Sequence, residues 1–150
     1  MAYDSTEDTK QHIKTVQGFL SEALGNLVGR SMVHDASKLE EPEKSMYDEF
    51  TPKLRDSTYG SDEYKGFLKD MGPALQHHYQ ANSHHPEHYP NGINGMSLMD
   101  LLEMLADWKA AGMRHANGDI SKSMEINRTR FGMSDQLFEI FQNTLKELRW

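Results

Sequence analysis

Residues 97–115 read SLMDLLEMLADWKAAGMRH. Leu101, Met104, Leu105 and Trp108 recur at three- and four-residue steps, which places them on one face of an α-helix. Ser97 and Asp100 stand at capping-box spacing just ahead of them, which marks a helix start. The same period recurs along the chain, whereas alternating β-branched runs are nearly absent. The expectation is an all-α fold: one domain over residues 1–150, a compact bundle of about six helices, with residues 1–7 a flexible N-terminus.

Working outward, a first helix is expected from near Asp8, with His12, Val16, Phe19, Leu20, Ala23 and Leu24 as its apolar stripe and Gly25 and Gly29 loosening its end. Ser37 and Glu40 again have capping-box spacing, and Pro42 suits the start of a helix through EKSMYDEFTPKL. Residues 55–66 are polar and turn-rich and read as a surface loop. Another helix covers about 62–82, re-started at Gly72-Pro73, with Leu68, Met71, Leu75 and His78 on one face. Residues 82–95 cannot be regular helix, because two prolines and two glycines interrupt them. ANGDI, residues 116–120, reads as a turn, and a polar helix or loop follows through Arg130. Ser134 is expected to cap a last helix carrying Leu137, Phe138, Phe141, Leu145 and Leu148.

The composition narrows the function. The chain has no cysteine, which removes disulfides, thiolate metal sites and cysteine nucleophiles, and is compatible with a reducing cytoplasm. The N-terminus is polar and acidic and no signal peptide is visible; no run approaches the ~20 apolar residues of a membrane span. A net charge of −7 argues against an extended nucleic-acid surface. A small anionic substrate stays admissible if a metal or a local basic group receives it.

Eight histidines are present, and His77, His78, His84, His85 and His88 crowd one segment. His12 lies on the stripe of the first helix, His34-Asp35 follows that helix, His78 extends an apolar face, and Asp107 borders the core face of the 97–115 helix. Each has a plain structural alternative: a satisfied core histidine, a chance His-Asp pair, a histidine bonded to a helix end, or, for Asp100, Glu103 and Asp107, a solvated acidic edge. Together they put metal-capable side chains on several inward faces. Imidazoles and carboxylates suit first-row divalent ions such as manganese, iron, cobalt or zinc, with magnesium also admissible. Coordination would offset the cost of burying Asp35 and Asp107.

The order His12 … His34-Asp35 … Asp107 resembles the H…HD…D signature of the HD-domain superfamily of metal-dependent phosphohydrolases, which have an all-α fold. HDASK is similar to the HDxGK form of that motif, with Ser37 in place of glycine. HHYQANSHHPEHY followed by LMDLLEMLADWKAA resembles a small HD-like family found in phages and bacteria. The resemblance implies that His12, His34, Asp35 and Asp107 bind one metal ion, with His78, His84 and His85 as candidate ligands of a second ion or of substrate. The helical phase favours His78 over His77; nothing separates His84 from His85, and His88 reads as an exposed loop residue.

The resemblance also implies the activity: hydrolysis of a nucleotide or other small phosphate ester through a metal-bound hydroxide. Asp35 would orient the water, Lys38 would stabilise charge on the phosphoryl oxygens, and Glu103 would act from behind the ligands or accept a proton. Arg130, in NRTRFG, is either a phosphate contact or a surface arginine, and Trp108 and Tyr79 either line a base pocket or belong to the core. The alternatives are a di-iron oxygenase built on HD-type ligands, and a non-catalytic binding or regulatory module.

Overall fold

The computed structural model describes residues 3–58, 60–114 and 119–150. Among the described residues seven α-helices follow one another: α1 (Thr6–Val33), α2 (Glu43–Asp56), α3 (Asp62–Asp70), α4 (Gly72–Ala81), α5 (Leu98–Gly112), α6 (Ile120–Phe131) and α7 (Asp135–Leu148). Short 3-10 turns lie at Ala36–Leu39, Pro86–His88 and Gly92–Gly95, and there is no strand among the described residues. The all-α expectation is met. Of the turn expected at 116–120, residues 116–118 lie outside the described residues, and Ile120 already begins α6. No described helix is long and apolar enough to cross a membrane.

The chain divides into two units, Met1–His34 and Asp35–Trp150. The first is essentially α1. It runs straight through Gly25 and Gly29, which were expected to loosen it. Glycine lowers helix propensity by about 1 kcal/mol but keeps its backbone donor and acceptor, so it does not by itself stop a helix. α1 has no buried residue. Its apolar stripe, expected to face a core, is exposed at Val16, Phe19, Leu20 and Leu24.

The second unit holds two packed regions. In one, α2 packs on α4 and on the turn at Ala36–Leu39, and α3 lies against both α2 and α4. Phe50, Met71 and Ala74 are buried there. In the other, Leu101, Met104 and Leu105 of α5 meet Met124 of α6 and Phe138, Phe141 and Leu145 of α7. Trp108 stacks on Phe131 and meets the edge of Phe141, so it is a core aromatic. Helix starts follow the local chemistry. The Ser61 hydroxyl accepts from the Tyr64 amide, Ser134 from that of Leu137, and Ser97 and Asp100 form the full capping box. The Ser61 cap opens α3 at Asp62, where the helix over 62–82 was expected to begin, so residues 62–66 are helix and not surface loop.

The segment between α4 and α5 is tied down rather than loose. Asp100 is buried and accepts from the Ser83 hydroxyl at 2.7 Å, the Tyr89 hydroxyl at 2.9 Å, and the Ser97 amide and hydroxyl at 2.8 and 2.7 Å. This corrects the reading of Asp100 as part of a solvated edge. Burial works to raise its carboxyl, but these donors outweigh burial and hold it below the usual carboxylate range. Gly95 closes the same segment: a Cβ there would lie 2.3 Å from Asn91 Oδ1 and 2.7 Å from Tyr89 Cβ.

Candidate metal centre

Asp35 opens the second unit. It takes the left-handed conformation (φ 56°, ψ 14°) that ends α1 and begins the 3-10 turn, a conformation that aspartate tolerates better than most residues. From there its carboxylate reaches histidines of α4 and of the following loop. Asp35 Oδ1 lies 3.3 Å from His78 Nε2 and 3.4 Å from His84 Nε2, and His78 Nε2 lies 2.9 Å from His85 Nε2. One ligand atom from each of Asp35, His78, His84 and His85 falls within 4.8 Å of the other three. His78 and His84 are almost fully buried.

The outer nitrogens of two of these rings are already committed. His78 Nδ1 lies 2.9 Å from Glu43 Oε2, and His84 Nδ1 lies 3.1 Å from Glu103 Oε1. Glu43, at the first position of α2, is completely buried. Burial works to raise its carboxyl, but hydrogen bonds with His77, Ser37 and His78 prevail and hold it below its ordinary value, so it accepts as a carboxylate. Asn82 cannot compete for His78 Nδ1. Its side-chain amide donates to the His78 carbonyl at 2.9 Å and to Ser37 Oγ at 2.8 Å, which uses both its hydrogens. That leaves the Nε2 atoms of His78 and His84 to face Asp35.

Asp35 itself is a carboxylate at neutral pH. Burial works to raise it, but hydrogen bonds from His78 and His84 and the Lys38 ammonium, 2.5 Å from Oδ2, hold it far below the usual range. Burial first, and then the charges of His84 and His78, push His85 down to about 3, so its ring is uncharged at neutral pH. Two imidazole nitrogens and a carboxylate oxygen thus converge in a buried space, where a cation would take the place of the ring hydrogens that face Asp35.

The spacing fits a cation as well. Ligands ~2.0–2.2 Å from a tetrahedral ion stand roughly 3.3–3.6 Å apart, as Asp35 Oδ1 does from both Nε2 atoms. Nitrogen and oxygen donors with no sulfur suit manganese, iron, cobalt or zinc.

Of the residues singled out in the sequence, Asp35, His78, His84 and His85 come together here. Asp107, on α5, offers a carboxylate oxygen within 4.8 Å of a His84 nitrogen. Glu103 holds His84 from behind, one of the two roles expected of it. Lys38 pairs with Asp35 and lies over the Tyr47 ring, 4.9 Å from its centre. His12 and His34 belong to the first unit, where His12 is exposed on α1 and His34 ends that helix. Arg130 pairs with Glu87 at 2.6 Å on the surface.

Sequence reasoning missed Glu43, Ser37 and Asn82. Ser37 was expected to cap a helix; its hydroxyl instead serves Asn82, and α2 starts without a side-chain cap. Between His77 and His78 the helical phase was a usable signal. His78 is inside, while His77 is exposed and bonds Glu43 Oε1 from the rim at 2.7 Å.

No curated protein and no solved structure matches the chain. A family model matches residues 1–147: the chain belongs to the family of unknown function DUF5662.

Proposed function

We propose that the chain is a metal-dependent phosphohydrolase that acts on a nucleotide or another small phosphate ester. The observation that carries the metal reading is the pair of imidazoles, His78 and His84, each with Nδ1 on a carboxylate and Nε2 toward the same oxygen of Asp35. Carboxylate–histidine pairs of this kind fix the ring tautomer and raise the basicity of the coordinating nitrogen. Asp35, His78, His84 and His85 would hold the ion. When bound, a divalent ion lowers the pKa of coordinated water towards ~7 and polarises a phosphoryl oxygen.

The chain's own groups supply the rest. Glu43 and Glu103 hold His78 and His84 in orientation. Lys38, partly exposed beside Asp35, places an ammonium where a phosphate would bring negative charge. The phosphate class rests on the similarity of HDASK to the HD-domain motif and on this lysine.

The test uses untagged protein. Metal content is measured by mass spectrometry, and hydrolysis of bis(p-nitrophenyl) phosphate and of nucleoside mono- and triphosphates is assayed with added manganese or cobalt. About one ion per chain and turnover lost in Asp35→Ala support the reading. Bound metal with no turnover of any ester sinks the hydrolase assignment, and two irons with a visible absorption band redirect it to an oxygenase.

A further inference from the structure

On α1, Ile13, Val16, Leu20, Ala23, Leu24 and Leu27 fall within an arc of roughly 100° at 100° per residue. Ile13, Leu20 and Leu27 are seven residues apart, and Val16 and Ala23 fill the alternate positions. This is the 3.5-residue repeat by which one helix packs along another. Ile13, Val16, Phe19, Leu20, Leu24 and Val28 are 39–66% exposed. Together they leave a continuous apolar strip on a helix of 28 residues, about 42 Å long. Such a strip presents several hundred Å2, of the order of the ~800 Å2 that each partner gives to a standard interface.

We propose that α1 is a self-association element, through which two copies of the chain pair as antiparallel helices. Charge sets the direction. Glu7 and Asp8 lie in the first turn of α1 and Arg30 in the last. A parallel pair would place both sets of carboxylates side by side. An antiparallel pair with Leu20 across from Val16 brings Arg30 of each copy level with Thr6 of the other, on the turn that carries Glu7 and Asp8, and opposes the two helix dipoles. Between Val16 and Leu27 the one charged residue is Glu22, on the far side of the helix, so no charge in the strip opposes close approach.

Sedimentation velocity on the full chain tests this. The native protein is expected at twice the 17.2 kDa chain mass in the low micromolar range. Leu20→Glu with Leu24→Glu should weaken pairing by at least about a hundredfold, because it buries charge in the seam. Gln11→Glu, on the opposite side of α1, should leave it unchanged. Circular dichroism checks the helix content of each variant. If the glutamate pair loses helix, Leu20→Ala with Leu24→Ala replaces it and should cost at least about tenfold. A native chain that stays at 17.2 kDa up to ~100 µM overturns the proposal, as does a dimer that survives these substitutions. So does a chain that is monomeric in buffer but binds vesicles of phosphatidylcholine and phosphatidylglycerol through the same leucines.

Discussion

Glu43 Oε2 lies 2.9 Å from His78 Nδ1, with Glu43 completely and His78 almost completely buried. A buried carboxylate bonded to the outer nitrogen of an imidazole decides where that ring's lone pair points. Glu43→Gln should therefore weaken divalent-metal binding by about 10–100-fold while leaving every donor in place. Competition against a chromophoric chelator measures it. His77→Ala, which removes only the rim histidine on the same carboxylate, should cost less than Glu43→Gln; equal losses would mean that Glu43 acts on the fold and not on His78.

Removing a donor should do more than removing its support. Asp35→Ala and His84→Ala are each expected to lower metal content to below about a tenth of an ion per chain after dialysis, with far-UV circular dichroism little changed. Full metal content in both variants would place the ion elsewhere in the chain.

Asp100 carries a pH prediction. Its folded carboxyl sits below the ordinary carboxylate range, with burial opposed and outweighed by Ser97, Ser83 and Tyr89. A folded pKa below the unfolded one gives stability that is fully present above the unfolded value, near 4, and is lost as pH falls below it. Asp100→Asn should cost about 1.5–3 kcal/mol at pH 7, and the gap to the native chain should narrow by pH 3. Urea unfolding at the two pH values reads this directly; a gap that widens on acidification would contradict it.

Gly95→Ala should destabilise the chain by about 1–3 kcal/mol, because the new methyl meets the Asn91 side chain and the Tyr89 Cβ, which cannot rotate away. The loop it closes carries His84 and His85, so metal affinity should fall along with the thermal midpoint. A stable variant with weakened metal binding would show that the loop sets the histidine positions without contributing much to the fold.

Much of this was legible residue by residue, and the reasons differ. α5 and α7 were read nearly to their ends because their period and their serine caps are local signals. His78 was legible because it falls in phase with Leu68, Met71 and Leu75. His84 and His85 were recognised only as a pair, since a loop with two 3-10 turns has no phase from which to choose one. Glu43 could not be seen. In the sequence it is one of several acids around Pro42, and its burial arises from α2 packing on α4, which no local pattern encodes. Asp100 was misread for a related reason: its partners Ser83 and Tyr89 lie across a loop whose course the sequence does not indicate.

The four donors, with Glu43, all precede residue 86, whereas every member of the α5–α7 apolar cluster lies at Ile93 or later. A ribosome making this chain therefore exposes the complete donor set before any of that cluster emerges. Glu103, which steadies His84, is the part of the centre that emerges late, so an ion captured during translation would first meet His84 without its carboxylate partner and gain that support only as α5 docks.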